Sequence, residues 1–142
     1  MSYIDGFVIA VPTANKQKFI EHAGLVDTIF TDLGATRIVE CWADDVQEGK
    51  ITDFGKAVQA TADESVVFSW IEWPDKETRD AAMTTMMSED FKDERMDMEK
   101  NPMPFVTECL ESTCDRVPES EQWNTATHLQ SSDQRSSGAQ AR

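Results

Sequence analysis

Hydrophobic and polar positions follow two different periods along residues 1–105. Three runs rich in β-branched and aromatic residues, at 3–11, 35–43 and 66–73, predict β-strands. Apolar residues recur at helical spacing from Phe19 to Leu33, and a shorter stripe of the same period follows the third run. The order strand–helix–strand–strand–helix (βαββα) predicts an α+β domain that needs one more strand after the second helix.

Residues that begin and end helices stand at the edges of these segments. Thr13 and Asp75 are predicted N-caps, and Gly34 offers the end of the first helix. The segment 51–62 has no sustained period, so it is predicted to be a connector with at most one short helical turn.

The pattern stops at Phe105. In residues 106–142 only Val106, Leu110, Val117 and Leu129 are Ile, Leu, Val or Phe, a composition typical of disorder. We therefore divide the chain into a domain at 1–105 and a divergent, disordered tail at 106–142. A reading-frame shift near the codon for Phe105 would produce such a break, and a natural extension is the alternative.

Charge and cysteine content narrow the classes of partner. The net charge of −14 repels phosphate backbones and anionic lipid, which argues against nucleic acid and membrane partners. No apolar run is long enough for a membrane span, and the N-terminus lacks a signal-peptide pattern. The three cysteines, Cys41, Cys109 and Cys114, show no metal-ligand spacing. These features predict a cytoplasmic protein.

Side-chain alternation assigns two faces to each predicted strand. We place small residues such as Gly6, Val8 and Ala10 beneath the helices. The face away from the helices then carries aromatic residues and carboxylates: Asp5, Phe7, Ile9, Ile38, Glu40, Trp42, Phe68, Trp70 and Glu72. A carboxylate beneath a helix costs several kcal/mol when it is unpaired, on the order of 2–7 for a polar group. This face is therefore predicted to meet a second sheet, with a ligand space between them.

Four separated segments carry a resemblance to a known family. They are YIDGFVIAVPT at 3–13, RIVECWADDV at 37–46 followed by a Gly-Lys turn, ESVVFSWIEWP at 64–74, and MPF at 103–105. Over about residues 1–105 the chain resembles the YbaA-like bacterial family of unknown function. The resemblance implies the dimeric α/β-barrel superfamily, with a ferredoxin-like βαββαβ protomer, strand order 4-1-3-2 and sheet faces packed together in a homodimer.

The chain departs from that family where the fourth strand is expected. Relatives continue past MPF with a glycine- and aromatic-containing strand, whereas this chain reads VTECLESTCDRVPES. We expect the fourth strand to be missing or reduced to a stub at Val106–Leu110, ended by Glu111 and Ser112. A mobile tail beyond Pro118 and a weakened homodimer would follow, because the first strand loses its partner.

Candidate chemistry is confined to a few carboxylates. Glu40 and Glu72, on strands that should be neighbours, are candidates for a pair with one raised pKa that serves proton transfer, with Asp5 on the same face. The alternative is that each pairs with a basic residue or water. His22 is predicted to be structural, and Asp44, Asp45 and Asp53 a solvated turn rather than a cation site.

Two classes of function stay open. In the first, Phe7, Trp42, Phe68 and Trp70 line a cleft in the barrel that binds or transforms a small molecule without cofactor or metal. The family's relatives by fold include cofactor-free monooxygenases and isomerases, which makes this an analogy only. In the second, the same aromatic residues fill the dimer interface of a non-catalytic assembly or regulatory module. An enclosed cavity with a carboxylate pointing in would favour the first class.

Overall fold

A computed structural model of the protein describes residues 2–105 and 110–116. The predicted tail and the frame-shift boundary fall mostly on residues 106–109 and 117–142, which lie outside the described residues. The described residues form four strands, β1 (Tyr3–Pro12), β2 (Arg37–Trp42), β3 (Glu64–Trp73) and β4 (Leu110–Asp115). The same residues form three α-helices, α1 (Lys16–Asp32), α2 (Phe54–Ala57) and α3 (Lys76–Met86).

The helix ends form where the sequence places them except at the start of α1, where Asn15 rather than Thr13 stands at the N-cap position. A single 3-10 turn at Thr13–Asn15 leads into α1, and Gly34 follows this helix with a φ of 109°, the left-handed conformation that glycine favours. The side chain of Asp75 accepts a hydrogen bond from the backbone N–H of Thr78 at 2.7 Å. This N-cap satisfies a donor that has no partner inside α3.

The described strands form one antiparallel sheet in the order β2-β3-β1-β4, which confirms the ferredoxin-like α+β prediction. Positions 106–109 of the predicted stub lie outside the described residues, but the predicted end of the fourth strand is wrong. This strand has six residues and contains Glu111 and Ser112, which were expected to end it. It pairs with β1 from Tyr3 to Val8.

The register corrects the predicted faces of two strands. Cross-strand partners share a face, and Asp5 pairs with Ile71 while Glu40 pairs with Ser69. Since Ile71 packs in the core with Ala82 of α3, Asp5 and Glu40 lie on the side of the sheet that faces α1 and α3. Phe7, Ile9, Ile38 and Trp42 share that side, whereas Phe68, Trp70 and Glu72 lie on the opposite side, as predicted.

A buried ion pair explains why Asp5 tolerates its position. Its side chain is 0% exposed, and the Nε of Arg79 donates to its two carboxylate oxygens at 3.0 and 3.2 Å. The indole N–H of Trp73 donates to the same carboxylate at 2.9 Å. The free-energy cost of burial that we predicted holds for a carboxylate without a partner, whereas Asp5 is paired with Arg79 and Trp73. Asp5 therefore anchors α3 to the sheet.

Candidate functional site

A cavity of about 270 Å³ lies between α1 and the sheet, and we call it the helix–sheet cavity. Its walls are apolar side chains from β1, α1, β3 and the segment after α3: Phe7, Ile9, Phe19, Phe30, Ile71 and Phe105. Four polar residues also line it: His22, Asp27, Glu40 and Ser69. A mostly apolar cavity with a few convergent polar groups is the usual form of a small-molecule site.

The segment after α3 closes one side of this cavity. The side-chain amide of Asn15 donates to the carbonyl oxygen of Pro104 at 2.9 Å, which fixes the chain next to the start of α1. The ring of Phe105 then lies 6.2 Å from that of Phe19, within the range of favourable aromatic contacts. On the α1 side, the small residue Ala23 leaves room between neighbouring aromatic side chains.

Glu40 on β2 has an altered protonation equilibrium. The residue is exposed to solvent in part, yet neighbouring protein atoms partly desolvate its carboxyl group, and this raises its pKa to about 7. The negative charge of Asp27 acts in the same direction, whereas a hydrogen bond with Ser69 opposes it. A carboxyl with a pKa near neutrality can both give and take a proton at physiological pH.

Two residues of α1 complete the polar part of the cavity. Burial raises the pKa of Asp27 to about 6. The Nδ1 of His22 is buried and has no hydrogen-bond partner within the described part of the chain. A buried polar atom without a partner is uncommon in folded proteins and often marks a position that a ligand or water occupies.

The pairing of Glu40 with Glu72 is wrong, because the two carboxylates lie on opposite faces of the sheet. Glu40 is instead coupled to Asp27. Sequence reasoning missed Asp27, although it follows Ala23 by one helical turn, and it also missed Arg79. It assigned His22 no chemical role.

The face of the sheet opposite α1 and α3 carries a row of aromatic rings, which we call the aromatic row. Phe54 of α2 stacks on Phe68 at 5.7 Å between ring centroids, and Phe68 lies 5.7 Å from Trp70. Phe68 is 40% exposed. A shallow hollow of about 570 Å³ adjoins the row, between β3 and β4. This is the surface on which the sequence predicted a pocket.

Polar groups on this open face are paired with one another. The indole N–H of Trp70 donates to Glu72 at 3.0 Å, and Arg37 forms an ion pair with the same carboxylate at 3.5 Å. Glu72 is therefore held by neighbours, which is the alternative that the sequence left open for it.

Trp42 does not line a cleft between sheets. Its ring lies 5.9 Å from that of Phe19 in the core beneath α1, and the ammonium of Lys16 stands 5.4 Å above it, close enough for a cation–π contact. Phe7 likewise packs into the core clusters between the sheet and the helices. Only Phe68 and Trp70 of the four predicted lining residues have side chains on the open face.

Asp53, from the predicted solvated turn, stabilises the local backbone. Asp53 caps α2 by accepting from the backbone N–H of Lys56 at 2.7 Å, and it forms an ion pair with the ammonium of Lys56 at 3.1 Å. No group of three or more His, Cys, Asp or Glu suited to a metal ion occurs among residues 2–105 and 110–116. Over the same ranges, the structure contains no helix long and apolar enough to cross a membrane.

The fold places the protein among the ferredoxin-like α+β proteins. A crystal structure of a dimeric ferredoxin-like protein from an uncultured marine organism matches with a TM-score of 0.51 at 12% identity, covering 84% of this chain and 99% of that chain. At this level of identity the likeness shows the fold alone.

Sequence relatives give the family. Residues 2–107 match the family described as "Protein of unknown function (DUF1428)". The "Uncharacterized protein YbaA" of Escherichia coli K12 and that of Shigella flexneri are each 53% identical to this chain over 105 residues, which cover 74% of this chain and 86% of the relative. The chain belongs to the DUF1428 family, and the resemblance found in its sequence is confirmed.

Proposed function

We propose that the protein is a cytoplasmic homodimer that binds a small molecule in the helix–sheet cavity, where Glu40 exchanges a proton with it. The observation that carries this proposal is the cavity itself, an apolar space of about 270 Å³ into which two carboxyl groups, a hydroxyl and an imidazole converge. The proposed site therefore moves from a cleft between two sheets to the opposite side of the sheet.

The protonation state of Glu40 supports proton exchange rather than binding alone. Its pKa of about 7 gives comparable amounts of acid and base at neutral pH, which is the condition under which general acid–base catalysis is efficient. Asp27 shares the site and keeps that pKa high. An open, fully solvated carboxylate would stay ionised and would be a poor proton donor at the same pH.

A ligand screen followed by thermal unfolding tests the binding proposal, since a ligand that binds the folded state raises the unfolding temperature. Hits should lose their effect in V26W, because Val26 lines the cavity and the larger ring would fill it. L25W is the matched control, since Leu25 is the neighbouring residue of α1 and is 41% exposed. Hits that stabilise both variants equally, or no hits at all, would contradict the proposal.

A second candidate function is a non-catalytic assembly module, and the aromatic row favours it. Exposed rings on one face of a sheet are typical of surfaces that a partner covers, and the similar marine protein is described as dimeric. We propose that a second copy of the chain packs against this face. The two candidates are compatible, because the helix–sheet cavity lies on the other side of the sheet.

Sedimentation of F68K tests this interface. A lysine in the aromatic row would place two like charges in a symmetric interface and should shift the dimer towards monomer. The control is M87K, which adds the same charge at a methionine that is 86% exposed beyond the end of α3. An F68K protein that sediments like the wild type would show that this face is not the interface.

A further inference from the structure

Charge is distributed unevenly around the helix–sheet cavity. The titratable groups that face it are His22 and Asp27 from α1 and Glu40 from β2. Strands β1 and β3 and the segment after α3 contribute apolar or neutral residues, and among the described lining residues there is no lysine or arginine. Two carboxyl groups thus share a small space without a permanent cation. Such an arrangement is stabilised by a positive charge that comes from outside the chain.

We propose that the helix–sheet cavity selects a cationic ligand, a primary or secondary amine that carries one aromatic ring or an apolar group of similar size. The inference rests on the proposed small-molecule function and specifies its ligand class. The ammonium group would lie between Asp27 and Glu40, and the apolar part among the aromatic walls.

The volume of the cavity sets the size of this ligand. An apolar cavity of about 150 Å³ holds one benzene molecule, and the helix–sheet cavity measures about 270 Å³. It therefore accommodates one ring together with a chain of two or three atoms. The rings of Phe19, Phe30 and Phe105 line the cavity. An aromatic ligand can make edge-to-face or offset-stacked contacts with them, which are the favourable arrangements of aromatic pairs.

The polar groups favour an amine over other head groups of the same size. A protonated primary amine has three N–H donors, and three groups with possible acceptor atoms line the cavity: the carboxylates of Asp27 and Glu40 and the imidazole of His22, whose Nδ1 has no partner among the described residues. An alcohol has a single donor. A carboxylate has none, and it would add a third negative charge to a partly desolvated space.

Binding of the amine is coupled to proton release. Near neutral pH, Glu40 is protonated in part of the free protein molecules, because its pKa is about 7. Asp27, whose pKa is about 6, is protonated in a smaller part of them. An ammonium group favours the ionised carboxylates, so binding displaces that proton. The affinity for an amine should therefore rise as the pH rises through about 6 and 7, whereas the amine itself stays protonated over this range.

Isothermal titration calorimetry with three compounds of similar size tests the charge selectivity: 2-phenylethylamine, 2-phenylethanol and phenylacetate. Near pH 8 the amine should bind at least about ten-fold more tightly than the alcohol, which corresponds to one clear charge interaction, and phenylacetate should bind least. Near pH 5.5 the amine should lose at least about ten-fold of its affinity. Titrations near pH 6.5 in two buffers with different ionisation enthalpies should show proton release.

Variants show whether amine binding depends on the carboxyl groups of the cavity or on the overall negative charge of the chain, which is −14. D27N and E40Q should each weaken amine binding several-fold and leave the affinity for the alcohol within about two-fold. E21Q is the matched control, because Glu21 lies on the exposed side of α1, where it accepts a hydrogen bond from Gln17. Equal losses in E21Q would assign the binding to the surface field and overturn the inference.

The results also separate this inference from the function on which it rests. An alcohol that binds as tightly as the amine near pH 8, with binding lost in V26W, would overturn the charge selectivity and leave the small-molecule site in place. If none of the three compounds binds, an amine with a single ring is excluded, and the wider screen with V26W then decides the function alone.

Discussion

Replacing Arg79 by methionine removes the cation that faces the buried carboxylate of Asp5. The side chain of Asp5 is 0% exposed, and that of Arg79 is 19% exposed. Breaking a fully buried ion pair costs about 3–5 kcal/mol. Because the guanidinium group of Arg79 reaches solvent, we expect R79M to lower the free energy of unfolding by about 2–4 kcal/mol.

Urea denaturation at fixed protein concentration measures this loss. With an m value of about 1.5 kcal/mol/M for a domain of this size, the midpoint should fall by roughly 1.3–2.7 M. K76M is the control, since it also replaces a cation of α3 by methionine, and the side chain of its partner Asp80 is 45% exposed. We expect a shift several times smaller for K76M, because exposed ion pairs contribute little to stability.

The double variant D5N/R79M tests whether the loss of stability in R79M comes from the unpaired charge of Asp5. Asparagine removes the charge that R79M leaves unpaired, and its side-chain oxygen still accepts from the indole N–H of Trp73. The double variant should therefore be more stable than R79M, with a coupling energy of at least about 1 kcal/mol. A loss below about 1 kcal/mol in R79M, or additive effects of the two substitutions, would show that the pair does not hold α3 on the sheet.

Three further variants probe other parts of the structure. W73F removes the 2.9 Å hydrogen bond to Asp5 and should lower the free energy of unfolding by about 1.5–3 kcal/mol; a neutral result in urea denaturation would contradict the role given to the indole. G34A forces a side chain into a φ of 109° and within 2.8 Å of a methyl carbon of Thr78, so a loss of about 1–3 kcal/mol is expected, and an unchanged midpoint would contradict it. E40Q removes a group whose pKa rises from 4.5 to about 7 on folding. The stability from that bound proton is complete below about pH 4.5 and is lost as the pH rises through 7, so E40Q should gain on the wild type by on the order of 1 kcal/mol between about pH 5 and 8. A difference that does not change with pH would contradict the assignment.

The sequence predicts the order of elements and the faces of one strand. On β3 the alternation of Val67, Ser69 and Ile71 with larger or charged residues was interpreted correctly, and the antiparallel sheet order is the expected one. These features depend on local periodicity and on connection length, and both can be inferred from residue types alone.

The faces of β1 and β2 could not be predicted in the same way. Small residues such as Gly6 and Val8 were placed beneath the helices because they need little room, and Asp5 was placed away from them because of its charge. The structure reverses both assignments, since Arg79 neutralises Asp5. An ion pair between residues so distant in sequence leaves no local signal, so the penalty for burial was applied to a residue that does not experience it.

The candidate site was predicted only in part. Partial burial, and to a smaller extent Asp27 on α1, raises the pKa of Glu40, whereas the sequence offered Glu72 on β3 as its partner. The helical spacing of Ala23 and Asp27 was a usable signal that the aspartate borders the apolar stripe. The roles of these residues in binding and proton exchange stay predictions.

The helix–sheet cavity also makes the domain sensitive to hydrostatic pressure. Any part of this half-open space that water does not fill in the folded protein is hydrated on unfolding, so the unfolded protein occupies less volume than the folded protein and compression favours it. The cavity of about 270 Å³ lies against α1 and the segment after α3, whereas the ion pair of Asp5 and Arg79 holds α3 elsewhere on the sheet. Compression should therefore separate α1 from the sheet before it releases α3, and a molecule that fills the cavity should oppose that step.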